Sequence, residues 1–218
     1  MLETKLIVDS CIHLPSQWFK LNVVPGAFLD QPDKPMSLKI SKSLTTAPDV
    51  KVRARHMVPG TINKETKEHR NFQWLGWWSG AISQVPRHRD VLTGPMSGCW
   101  VVVYRRNGIE YVAHIGKNKD NKAHTDAVIA GWNNYARLHQ DSIIGGFNPM
   151  RHWAVKMPAR NAQTDKITPQ CLALVTRDPT PRLFSIFTYR QEVDSNLLRI
   201  AAIEEVESSS REQLQNTD

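Results

Sequence analysis

The 218-residue sequence predicts an α+β domain built on an antiparallel sheet or sandwich. Two β-branched and aromatic runs, residues 100–105 and 109–115, meet at Arg106-Asn107-Gly108, a strong hairpin signal. Two more runs, 171–176 and 183–189, flank the turn formers Asp178-Pro179-Thr180-Pro181. Against these strands, residues 125–139 hold a clear helical period.

In chain order, residues 1–50 are rich in proline around short apolar pieces, and read as loops wrapping a core. Residues 71–82 carry Phe72, Trp74, Trp77 and Trp78; such clusters form core or the wall of a cleft, and near basic residues the tryptophans could instead stack bases or sugars. In the predicted helix Val128, Ile129, Trp132, Tyr135 and Leu138 fall on one stripe, with Thr125 as N-cap and Asp126 in the first turn. Residues 197–206 fit a helix or a strand. Residues 1–207 form one domain, and 208–218 read as a polar, flexible tail.

Composition narrows the function classes. A hydrophobic share of 40% with 22% charged residues excludes wholesale disorder. No apolar run is long enough for a membrane span, and residues 1–7 lack the features of a signal peptide. Cys11, Cys99 and Cys171 can build neither a disulfide framework nor a zinc site. The net charge is +7, with an acidic stretch from Glu204 and basic residues gathered at Lys51, Arg53, Arg55, Lys64, Lys67, Arg70, Arg87 and Arg89. This is a solvated face or a docking surface for an acidic protein or nucleic acid.

The chemistry-bearing segment is Thr93-Gly94-Pro95-Met96-Ser97-Gly98-Cys99 with the hairpin that follows. If Asn107-Gly108 is a two-residue type I′ turn, Val101 faces His114 and Cys99 faces Gly116. Cys99 and His114 then share a sheet face as diagonal neighbours, with Cβ atoms about 7–8 Å apart or less. The pattern fits a Cys-His nucleophilic pair in which an imidazolium lowers the thiol pKa and later protonates a leaving amine. Gly98 would let a substrate carbonyl approach, and the Cys99 N–H is an oxyanion donor. Thr93 and Asp90 are the candidates for orienting the imidazole. Elsewhere, His88-Arg89-Asp90 lacks a second ligand cluster, His124 and His139 read as surface residues, and Cys11 and Cys171 as structural.

Thr93, the Met96-Ser97-Gly98-Cys99 run and a histidine on the return strand resemble the glutamine deamidase toxins. The likeness is closest to the Burkholderia lethal factor family and more distant to the catalytic domain of the cytotoxic necrotizing factors. Met96 stands where that family carries leucine, and the Cys-to-His interval of fifteen matches the necrotizing factors. The resemblance, carried mainly by residues 93–116, implies a β-sandwich core flanked by helices and loops. It implies a secreted bacterial effector, read as a monomer and acting in the host cytosol. Its reaction would be deamidation of one glutamine of a host regulatory protein, such as a Rho-type GTPase or a translation-initiation RNA helicase. On that likeness Cys99 attacks, His114 is acid and base, Thr93 orients it, and Met96, Ser97 and Gly98 shape the oxyanion and substrate site. No cofactor or metal is implied. The residues alone leave open another Cys-His acyl-transfer enzyme, transglutaminase or peptidase, and a non-enzymatic basic module.

Overall fold

A computed structural model describes residues 2–3, 6–14, 23–33, 35–41, 67–192 and 196–217. Among them are strands β1 (Cys11–His13), β2 (Phe28–Asp30), β3 (Met36–Ser41), β4 (Lys67–Leu75), β5 (Ile82–Pro86) and β6 (Asp90–Met96). The hairpin follows as β7 (Trp100–Arg106) and β8 (Ile109–Ile115), then β9 (Ile143–Phe147), β10 (Asp165–Val175), β11 (Leu183–Gln191) and β12 (Leu197–Val206). Helix α1 spans Lys122–Leu138, with short helices α2 (Pro149–His152) and α3 (Arg211–Gln215). One sheet closes into a barrel in the order β1-β12-β11-β10-β6-β4-β3; the other is open, in the order β2-β5-β8-β7-β9.

Alternation along the strands builds three layers from two sheets. Leu172 and Leu174 join Ile12, Phe72, Leu92 and Ile186 in one core within the barrel. Their neighbours Cys171, Ala173 and Val175 point the other way and pack on Cys99, Val101, Val103 and Val112 of the open sheet. The opposite face of that sheet, with Trp100, Val102, Tyr104, Ala113 and Ile115, is covered by Val128, Trp132 and Ala136 of α1. Both faces of the hairpin are therefore buried. This is the α+β, sheet-cored fold expected from sequence, with two differences. The pairs β2/β5 and β4/β6 are parallel, and one layer of the sandwich is a closed barrel, which removes its edges.

Further local differences have clear causes. The helix begins one turn earlier than expected: Asn121, not Thr125, is the N-cap, its side chain accepting from the His124 N–H, while Leu138 lies 71% exposed off the stripe. Residues 197–206 resolve as a strand. The tail does not hang free: Ser210 and Gln213 form a capping box, Leu214 is buried, and its carbonyl accepts from Trp132 Nε1 at 2.7 Å. Of the basic group, Lys51, Arg53, Arg55 and Lys64 lie outside the described residues, as does most of the Asp194-Ser195-Asn196 turn. Arg87 is paired with Glu110 and Arg89 with Asp33, so these two are not open docking charges. No helix among the described residues is long and apolar enough to cross a membrane.

Candidate active site

The hairpin turns through Asn107 (φ 51°) and Gly108 (φ 79°), both in the left-handed region that a type I′ turn needs. Its register pairs Arg106 with Ile109, Val101 with His114 and Trp100 with Ile115, as the two-residue turn requires. Cys99 and His114 therefore sit on one face, the face turned toward the barrel. His114 is wholly enclosed; Cys99 is 6% exposed and forms part of the wall of a cleft of about 610 Å³. Met96, Ser97 and Gly98 line the same cleft, with Trp77, Lys117 and Gln170. Of the pair, Cys99 is the residue that lines the cleft.

Strand β6 supplies the remaining partner through a bulge. Met96 pairs with Cys171 and Thr93 with Ala173, so Gly94 and Pro95 oppose the single residue Leu172. Gly94 has φ 134°, and a Cβ there would lie 2.8 Å from the Cys171 carbonyl oxygen, so a side chain would strain the bend. The bulge leaves Thr93 buried between the sheets, with its hydroxyl 2.8 Å from His114 Nδ1 and 2.6 Å from the Leu75 carbonyl. A hydroxyl has one proton, and the Leu75 carbonyl can only accept it. The Thr93 oxygen must then accept from the ring, so Nδ1 carries the imidazole proton and Nε2 holds a lone pair. Nε2 is buried and has no hydrogen-bond partner, and neither has the hydroxyl of Ser83, which faces His114 across the β5/β8 pair.

Asp90, the other candidate for orienting the ring, is committed elsewhere. Its carboxylate accepts from the Leu2 N–H at 2.7 Å and the Arg177 N–H at 3.0 Å. Three residues from Thr93 in unbroken register, it lies on the opposite face of β6, the face of Leu92 that packs inside the barrel. His88 and Arg89 both contact Asp33, and no metal-ligating group of three or more side chains exists among the described residues.

The expected ion pair is not the resting state. Burial pushes the Cys99 thiol up to about 11, partly offset by the Lys117 backbone and ammonium, and burial alone pushes His114 down to about 3. Both shifts oppose moving the proton from sulfur to ring, because burial penalises each charged form. The thiol and the imidazole are both held toward their neutral forms. Sulfur does not hydrogen-bond to the ring; it approaches the Lys117 carbonyl at 4.0 Å.

Sequence reasoning missed Asn148, whose amide donates to the Gly98 carbonyl at 3.2 Å. Nothing local to Asn148 announces a contact fifty residues away. Trp77, read as core or cleft wall, is the wall: it is 40% exposed, and a Cβ on Gly116 would collide with its indole at 2.3 Å. Trp74 is core. No protein family, curated protein or solved structure matches this chain.

Proposed function

We propose that the chain is a cysteine-dependent protein-glutamine deamidase. The observation that carries this reading is the relay from the Leu75 carbonyl through the Thr93 hydroxyl to His114 Nδ1, which leaves an unprotonated, unpartnered Nε2 on the face of Cys99. An unprotonated ring nitrogen on the same face as a thiol at a cleft wall has the arrangement of a general base, and substrate entry must lift its basicity from the buried value for it to act. The diagonal separation of the two Cβ atoms is one that an imidazole can span.

In this reading a glutamine side chain enters the cleft along Ser97 and Gly98. Nε2 removes the thiol proton as sulfur bonds to the carboxamide carbon, and the C=O electron pair moves to oxygen. The Cys99 N–H receives that oxyanion. Collapse reforms C=O and breaks the C–N bond, while the imidazolium returns its proton to nitrogen, so ammonia leaves and a thioester remains. Water, deprotonated by Nε2, then attacks the thioester; glutamate leaves and the thiol is restored. Neutral reactants suit the closed site, since charge develops only as bonds change.

The resemblance to the deamidase toxins supports the same roles and suggests a host regulatory protein as substrate, met in the host cytosol. Lys117, Lys119 and Lys122 at the cleft, against the single acid Asp120, favour an acidic partner surface. The test is mass spectrometry of host-cell extract after incubation with the protein. A Gln-to-Glu gain of about one dalton on a defined peptide, lost with Cys99→Ser, is the expected result. The same gain with Cys99→Ser, or none with the unaltered chain, would end the proposal.

A further inference from the structure

Asn148 closes a contact between the nucleophile's own peptide unit and a different part of the chain. Its Oδ1 accepts from the backbone N–H groups of Met150 at 3.1 Å and Arg151 at 3.2 Å, capping α2. Two donors at one end of the amide fix which end is oxygen, so the other end must be the NH2 group. That group donates to the Gly98 carbonyl. Asn148 is only 6% exposed, and it prolongs β9, which lies on one side of β7.

The Gly98–Cys99 peptide is planar and trans, so its C=O and N–H point in opposite directions. With the carbonyl held toward β9, the Cys99 N–H is directed to the other side of β7, where β8 runs. The cleft residues Lys117 and Asn118 follow directly after β8. Gly98 adds no steric restraint of its own, because a Cβ there would meet nothing within 4 Å. A glycine peptide at a turn is free to rotate, and the hydrogen bond from Asn148 opposes that rotation.

We propose that Asn148 is a positioning residue: by anchoring the Gly98 carbonyl it aims the Cys99 N–H at the oxyanion formed when sulfur adds to a carbonyl carbon. The proposal rests on the thioester chemistry above, and Asn148 itself never touches substrate. Its effect is confined to reactions that pass through a tetrahedral oxyanion, so two thiol reagents separate it from general scaffolding. p-Nitrophenyl acetate acylates sulfur through such an intermediate. Iodoacetamide alkylates sulfur by direct displacement, with no oxyanion.

The variants are Asn148→Ser and Asn148→Asp. Both keep a side-chain oxygen that caps the helix. Serine loses the donor to Gly98, and aspartate turns a carboxylate oxygen toward that carbonyl. Both rates are followed at Cys99 by peptide mass spectrometry across pH, so that a change in thiol titration is read separately. The expected result is acylation slower by about tenfold to hundredfold, less than the roughly 10²–10³-fold of a donor lost outright because the Cys99 N–H is misaimed rather than removed, with alkylation within about twofold of the unaltered chain. Equal losses in both reactions would reduce Asn148 to scaffolding, and no loss in either would remove it altogether. Failure of the underlying chemistry is visible without any Asn148 variant: the unaltered chain would then alkylate at Cys99 but not acylate there.

Discussion

Replacing Thr93 by valine keeps the shape of the side chain and deletes the hydroxyl that links two partners. Thr93 is fully buried, so neither partner can turn to water. The change strands the ring Nδ1–H and takes one donor from the Leu75 carbonyl, bonds of 2.8 and 2.6 Å. A buried donor without an acceptor costs about 1–3 kcal/mol and a lost hydrogen bond about 1 kcal/mol more, so Thr93→Val should destabilise the fold by roughly 2–4 kcal/mol. For a chain of this length that lowers the melting temperature by roughly 10 °C, at about 2–4 °C per kcal/mol. Thr93→Ser keeps the hydroxyl and loses one methyl group, about 1 kcal/mol. The chemical consequence is larger than the structural one. Without the threonine oxygen nothing holds the proton on Nδ1, and a ring with its proton on Nε2 cannot accept one from sulfur. Acylation of Cys99 by p-nitrophenyl acetate should fall by roughly 10²–10⁴-fold in Thr93→Val, as for a triad histidine in the wrong tautomer. It should stay within about tenfold in Thr93→Ser, which keeps the relay on that scale. A valine variant that melts and acylates like the unaltered chain, or a serine variant as impaired as valine, would refute the relay.

Other outcomes follow from the same geometry. Gly98→Ala adds a methyl group to empty cleft space, so the fold should gain about 0.4–1 kcal/mol from a stiffer unfolded chain; turnover of a protein substrate should nevertheless drop, and unchanged turnover would mean the substrate does not pass Gly98. Iodoacetamide should modify Cys99 before Cys11 and Cys171, which are 1% and 0% exposed, and slowly at neutral pH, because the Cys99 thiol is held up to about 11. Its rate should climb with pH toward that value, and a plateau near neutrality would reveal a thiolate and contradict the raised thiol. His114 binds a proton in the unfolded chain near pH 6.5 but, with its folded value about 3, not in the native state. A depressed histidine therefore contributes its full stability above about pH 6.5 and loses about 1.4 kcal/mol per unit as pH falls from there toward 3. Denaturant titrations between about pH 6.5 and 4 should show that slope reduced in His114→Gln; parallel curves would contradict the enclosed ring.

The parts of the site that were legible in sequence are the local ones. Asn107-Gly108 sets the turn, the turn sets the register, and the register puts Cys99 and His114 on one face without knowledge of anything else. Thr93 was recognisable as a possible partner but not separable from Asp90: the two lie on opposite faces of β6, and which face meets the hairpin is decided only by the packing of the two sheets. The protonation state was misjudged for a related reason. Which face of a hairpin is covered depends on the barrel packed against it, and Val101, Val103 and Val112 could equally have lined an open groove. Strand direction was also hidden: alternation reports faces, not partners, so the parallel β4/β6 pair looked like any other. The docked tail did leave a local sign, the Ser210-to-Gln213 capping box ahead of Leu214, within a stretch whose polarity suggested fraying. Asn148 left none, since its partner Gly98 is fifty residues away.

The site turns on a neutral imidazole with its proton on Nδ1 and a bare Nε2 on the face of Cys99. Nitrogen-15 NMR of the ring reads both properties directly. The prediction for His114 is an Nδ1-protonated, neutral signal that persists from neutral pH down to about pH 4, consistent with its value of about 3. An imidazolium already present near pH 6.5, its ordinary value, or a neutral ring protonated at Nε2, would contradict it.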